Sequence, residues 1–221
     1  MSSSVLEAKQ KEALAALTQG KAENGLALLR ECLELSESLN GPNSLDTAQA
    51  AFTLALCVAK DSSADAGEVE SLAKRALQIR QSVFGPVHAS VALTAEFLGN
   101  FYVANNKPVE AEEMFRLALS NAEQLVGAHH VNTAKLQLRL ADLLVRAEKA
   151  GEAVELAEKA FETRKRFFPS DSQELHSAAY ALAQALVADN QPGRASAVIR
   201  SLAQDDQVAA QVLAPGQQAM R

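Results

Sequence analysis

Apolar residues recur along this chain three and four positions apart, in paired segments separated by short polar turns, which is the signature of amphipathic helices. The clearest unit is residues 91–126, VALTAEFLGNFYVANNKPVEAEEMFRLALSNAEQLV, where two such patterns flank an Asn-Asn-Lys-Pro turn. A shift of 42 positions lays Ala76, Leu77, Gly85, Pro86 and His88 on Ala118, Leu119, Gly127, Ala128 and His130. The same step carries Leu98-Gly99 to Leu140-Ala141 and then to Leu182-Ala183. A fixed period of this length predicts an all-α solenoid of about five antiparallel helix pairs, each burying its apolar face on its neighbours.

The repeats fall at approximately 5–44, 45–88, 89–130, 131–171 and 172–203, followed by a short capping helix at 205–213 and a flexible tail at 214–221, so residues 1–213 read as one domain. The first pair fits least well. It needs a step of 44, and Lys9 stands at a position that is apolar elsewhere, as expected of an edge repeat with one face in water. The extra length lies in Asp61-Ser62-Ser63-Ala64-Asp65, an exposed insertion by this reading, where Asp65 and Glu68 have capping-box spacing. Pro108 and Pro192 fall in the first turns of second helices, where a missing N–H costs nothing. Ser170-Asp171-Ser172-Gln173-Glu174 offers two overlapping capping-box registers for the following helix.

LGNFY followed by NNKPVEAEEMFRLAL resembles the tetratricopeptide repeat, with Leu98, Gly99 and Tyr102 on the first helix and Ala111, Phe115 and Ala118 on the second. The 42-residue length and the joining segment ALQIRQSVFGPVHASVA are similar to the longer repeats of kinesin light chain. The resemblance implies a right-handed α-solenoid whose first helices line a concave groove. By position that groove would be lined by Phe52, Leu56, Leu93, Glu96, Phe97 and Asn100 and, further on, by Lys135, Leu138, Arg139, Asp142, Tyr180 and Gln184. Kinesin light chain carries paired Asn ahead of its Leu-Ala; here Phe52-Thr53, Glu96-Phe97, Leu138-Arg139 and Tyr180-Ala181 stand instead. Chaperone-binding members hold a C-terminal carboxylate with a five-residue clamp, of which Lys135 and Arg139 match the last two members in position.

Composition narrows the function. The 221 residues are 48% apolar, enough for a substantial interior, and 21 basic against 27 acidic residues give a net charge of −6. That balance argues against non-specific nucleic-acid or anionic-membrane binding. Cys32 and Cys57 both lie in helical apolar patterns and read as buried reduced thiols, and the N-terminus lacks a signal-peptide pattern, so a cytoplasmic location is expected. No apolar run is long enough to span a bilayer.

Reactive groups do not converge. His88 and His130 share one repeat position in the joining loop, so they march along the stack and suit a loop or capping role better than metal binding. Arg164-Lys165-Arg166 with Phe167-Phe168 reads as a helix end, its cations complementing the dipole and its aromatics packing under the next loop. No phosphate loop, nucleophile elbow or HExxH pattern occurs, so no catalytic residue, metal or cofactor is expected. The sequence therefore points to a non-catalytic adaptor or scaffold. Its groove would bind a protein or peptide with an acidic group and bulky apolar side chains, through two cations, Lys135 and Arg139, beside an apolar wall. In a blander reading these cations pair with Glu96 and Asp142. The alternative function is an assembly module that self-associates through its edge repeats or convex face.

Overall fold

The computed structural model describes residues 2–60 and 65–202. The capping helix expected at 205–213 and the tail at 214–221 lie outside the described residues, as does most of the 61–65 insertion. The described residues form ten helices and no strand. The chain divides into two compact units, Met1–Lys107 and Pro108–Arg221.

The first unit contains α1 (Ser2–Thr18), α2 (Ala22–Asn40), α3 (Leu45–Val58), α4 (Ala66–Phe84) and α5 (Ala89–Ala104). Consecutive helices pack on one another. Its core is built from Leu26, Leu29 and Leu33 of α2, Phe52, Leu54 and Val58 of α3, and Val69, Ala76 and Ile79 of α4. Phe97 and Phe101 of α5 close it. The second unit contains α6 (Pro108–Val126), α7 (Val131–Arg146), α8 (Ala150–Phe167), α9 (Gln173–Ala188) and α10 (Pro192–Leu202). Here α7 packs on α6, α8 and α9. Leu140, Ala141, Leu182 and Ala183, the positions singled out by the period, are all buried.

Helix starts follow from local chemistry. Ser44 caps α3 by accepting from the Thr47 amide at 3.1 Å. His88 Nδ1 accepts from the Ser90 amide at 3.2 Å and His130 Nδ1 from the Asn132 amide at 3.1 Å, so the two histidines cap α5 and α7. Pro108 and Pro192 open α6 and α10. Two expected capping boxes take another form. Asp65 caps α4 through the Gly67 amide at 2.9 Å, while Glu68 turns away to receive Arg30 of α2 at 2.9 Å. Ser172 caps α9 through the Leu175 amide, which puts an apolar residue where a box needs a carboxylate or amide side chain.

The turns between paired helices repeat one backbone solution. Asn106, Glu148 and Asn190, each 42 positions from the last, take φ of 55°, 60° and 58°. Asn tolerates this left-handed region better than Glu, which makes Glu148 the strained member.

Successive second helices are tied by ion pairs about one repeat apart in sequence: Arg30–Glu68 and Arg75–Glu37 in the first unit, Arg116–Glu152 and Arg194–Glu158 in the second. A second series links two of the turns to the preceding second helix. Lys107 reaches Glu70 at 2.7 Å, and one period later Lys149 reaches Glu112 at 2.9 Å. Gln191 and Val154 occupy the next equivalents, so both partners are lost together. Glu70 also receives Lys74 at 2.6 Å and the Tyr102 hydroxyl at 3.1 Å. The Lys107 ammonium, then Lys74, hold its carboxyl down from 4.5 to about 2. A carboxyl lowered on folding contributes stability that is complete above its unfolded pKa and fades as pH falls towards its folded one. Urea unfolding of the wild-type chain should therefore lose about 1–2 kcal/mol on this account between pH 4.5 and 2.5, after discounting for the half-exposed lysines. Glu70→Gln should flatten that part of the profile; an unchanged profile would remove Glu70 from the acid response.

Candidate interaction surfaces

On the first unit, α3 and α5 carry the expected surface. Leu93 is 55% and Leu56 38% exposed, while Glu96, Phe97 and Asn100 are half-buried. Asn100 Nδ2 donates to the Glu96 carbonyl one turn back at 2.9 Å, which fixes its amide along the helix. Phe52 departs from expectation. It is 3% exposed and sits under the surface, edge-to-face with Phe97 at 5.4 Å and with the Arg80 guanidinium 4.5 Å over its ring. Its ring is large enough to fill the space between α3, α4 and α5, so it supports the surface instead of lining it.

Arg80 is itself a feature the sequence reading missed. Only 4% exposed, it donates to Gln49 Oε1 at 2.9 Å and to the Thr94 hydroxyl, and burial lowers its pKa. The period contained a signal, because two further steps of 42 reach Arg164, with Ala122 between. Arg164 likewise donates forward, to the Glu174 carbonyl and Ser177 Oγ, both at 2.6 Å.

On the second unit, α7 presents Lys135, Leu138, Arg139 and Asp142 at spacings of three and four, one stripe of one helix. Lys135, Arg139 and Asp142 are exposed and Leu138 is half-buried. Asp142 is engaged by Arg146 at 2.8 Å, its neighbour one turn on. On α9, Tyr180 is 38% exposed and Gln184 exposed.

Phe167 also departs from expectation. The α8 end carries its three cations as foreseen, but Phe167 is 60% exposed while Phe168, in extended backbone after the helix, is half-buried. Val83 and Phe84 at the end of α4, and Leu125 and Val126 at the end of α6, occupy the equivalent places and are exposed too.

A cleft of about 270 Å³ lies on the first unit between α1, the end of α2 and the start of α3. Glu7, Gln10, Asp46 and Gln49 supply polar walls, and Leu6 and Leu39 apolar ones. Period alignment alone could not find it, because α1 belongs to the pair that fits the repeat least. Among the described residues no three His, Cys, Asp or Glu side chains are grouped to hold a metal ion, and no helix is long and apolar enough to cross a membrane. Cys32 is buried and Cys57 half-buried, both as free thiols whose pKa is raised by burial.

The tetratricopeptide repeat family model matches residues 6–82 and 90–166, most of the chain. The chain belongs to the tetratricopeptide repeat family. No curated protein matches it by sequence. Among solved structures, this tetratricopeptide repeat chain is similar to nearly identical TPR-like repeats ascribed to a kinesin light chain of Podosopora anserina. The TM-score is 0.75 at 18% identity, covering 96% of this chain and 98% of that one. It is also similar to BtubC (BKLC) from P. vanneervenii, with a TM-score of 0.74, 18% identity and coverage of 91% and 79%. YrrB, a TPR protein with an unusual peptide-binding site, matches with a TM-score of 0.61 at 14% identity over 92% and 89% of the two chains. These likenesses establish the all-α tetratricopeptide solenoid fold of the kinesin light chain type.

Proposed function

We propose that this tetratricopeptide repeat chain is a non-catalytic scaffold whose first-helix surfaces bind a peptide segment of a partner protein. The observation that carries the reading is the stripe on α7, where two exposed cations flank Leu138, with an exposed Tyr180 on α9 of the same unit. Cations beside partly exposed apolar groups suit an extended or helical segment bearing a carboxylate and bulky side chains. The first unit carries partly exposed apolar residues of its own on its first helices, Leu56, Leu93 and Phe97. The peptide-binding site of YrrB, a protein of the same fold, supports the class of function. Lys135→Glu combined with Arg139→Glu reverses the charge of the stripe without touching the core. Partner capture from cell extract should fall at least about tenfold for this variant, which corresponds to losing one charge-assisted contact. Equal capture by two chains of equal helicity would end the reading.

A second reading, self-association, is favoured by the exposed apolar pairs that end successive second helices, Val83-Phe84 and Leu125-Val126. Sedimentation velocity decides it: mass rising with concentration supports assembly through these edges, and a strict monomer opposes it.

A further inference from the structure

The outer face of α1 is a surface the repeat leaves open. Its turn gives the register: the Lys21 amide donates to the Ala16 carbonyl at 2.9 Å, as Lys149 does to Leu144 at 2.9 Å and Gln191 to Leu186 at 2.7 Å. Ala16, Leu144 and Leu186 are therefore equivalent positions. On α7, the residues one, four, eight and eleven places earlier, Leu143, Leu140, Leu136 and Thr133, are all buried in a helix that packs on its neighbours. The four equivalents on α9 are buried as well. On α1 the same places hold Ala15, Glu12, Ala8 and Val5, and all four are exposed. Leu6, Ala13 and Ala16 are buried on the other side, where α1 packs on α2. The helix is thus apolar on two sides and covered on one, whereas a helix apolar all round is ordinarily buried.

We infer that this face of α1 is covered by the same face of a second copy of the chain, in an antiparallel pair about a two-fold axis. Val5, Ala8, Glu12 and Ala15 are spaced three, four and three apart, the spacing of a coiled-coil seam. Parallel copies would set Glu12 against Glu12, like charge on like. Antiparallel copies centred near Gln10 instead set each Val5 opposite the other copy's Ala15 and each Ala8 opposite its Glu12. The small Ala8 leaves room for the carboxylate. Lys11 of the other copy then lies three residues along from Glu12, about 4.5 Å at 1.5 Å per residue, within reach of its stem. Lys11 and Glu12 are exposed, and neither forms a salt bridge among the described residues; the nearby Lys9 is taken by Glu31. A depression of about 490 Å³, bordered by Ala8, Lys11 and the 48% exposed Leu14, gives the other copy's helix room beside the seam. A single polar residue in an apolar seam fixes register at a cost in affinity, and two 17-residue helices are smaller than a standard interface of about 1,600 Å², so the dimer is weak. The contact is isologous and closes at two copies. It goes beyond peptide recognition, and its surface differs from the second-helix ends.

The test is sedimentation of the full chain from about 1 μM to about 1 mM, beside Glu12→Lys, Lys11→Glu, the double exchange Lys11→Glu/Glu12→Lys and Phe84→Glu, all shown by circular dichroism to be equally helical. Wild-type mass should rise with concentration and level off at the dimer. Each single exchange on α1 should weaken association at least about tenfold, and the double exchange should restore it, because it swaps both partners of the pair. Phe84→Glu should change nothing. Association that survives every α1 exchange but falls with Phe84→Glu overturns the α1 seam and leaves assembly through the second-helix ends standing. Loss in both single exchanges without recovery in the double overturns the antiparallel pairing, and a strict monomer overturns self-association altogether while leaving peptide recognition untouched.

Discussion

Ala118→Phe is expected to destabilise the chain by about 3 kcal/mol or more, at and beyond the upper end of ordinary overpacking. Ala118 lies on α6 with no exposed surface, and its equivalents one period away, Ala76 and Ala160, are equally enclosed. An aromatic ring at such a point has no solvent-facing rotamer to escape to. The interior is too dense to yield without moving α6 off the helix it packs on, α7. Urea denaturation followed by circular dichroism reads the cost directly. A loss below about 0.5 kcal/mol, the level of an ordinary surface change, would mean that this position is not a point of close helix approach.

Gln137→Leu is expected to act in the opposite direction, raising stability by about 1–3 kcal/mol, the desolvation penalty of an unpaired buried polar group. Gln137 is fully buried on α7, and among the described residues neither its amide nitrogen nor its amide oxygen has a hydrogen-bond partner. The same repeat position holds Ala51, Ala95 and Ala179 elsewhere. Leucine keeps most of the volume and removes the unmatched donor and acceptor. Gln137→Ala removes them too but leaves a void, so it should gain less than leucine or lose stability. Thermal unfolding should shift upward by roughly 2–4 °C per kcal/mol for a chain of this size. A lower midpoint for Gln137→Leu would show that the amide is satisfied in solution.

The period made most of the fold legible. Leu98-Gly99, Leu140-Ala141 and Leu182-Ala183 reported the close-packed positions of three first helices, and His88 and His130 sit where the repeat placed them, as helix caps. What the period could not report was partner choice. Glu68 has local capping-box spacing from Asp65, yet it is drawn to Arg30 on a neighbouring helix, a contact no local pattern contains. Repeat alignment likewise transferred position but not burial. Phe52 aligns with Glu96 and Leu138, and its ring nonetheless packs inward against Phe97 and Arg80. Phe167 failed the other way, remaining on the helical path towards solvent while Phe168 turns in. The cleft beside α1 escaped for a related reason: an edge helix departs from the repeat, and the departure shapes the space.

Recognition by first helices is the central claim, and a hydrogen-exchange footprint of the chain with and without a captured partner peptide tests it most directly. Backbone amides of α3, α5, α7 and α9 should slow on binding, with α7 around Lys135–Asp142 among them. Protection confined to α2, α4, α6 and α8, or to the exposed ends of those second helices, would contradict the account and place the work of this tetratricopeptide chain on its second helices.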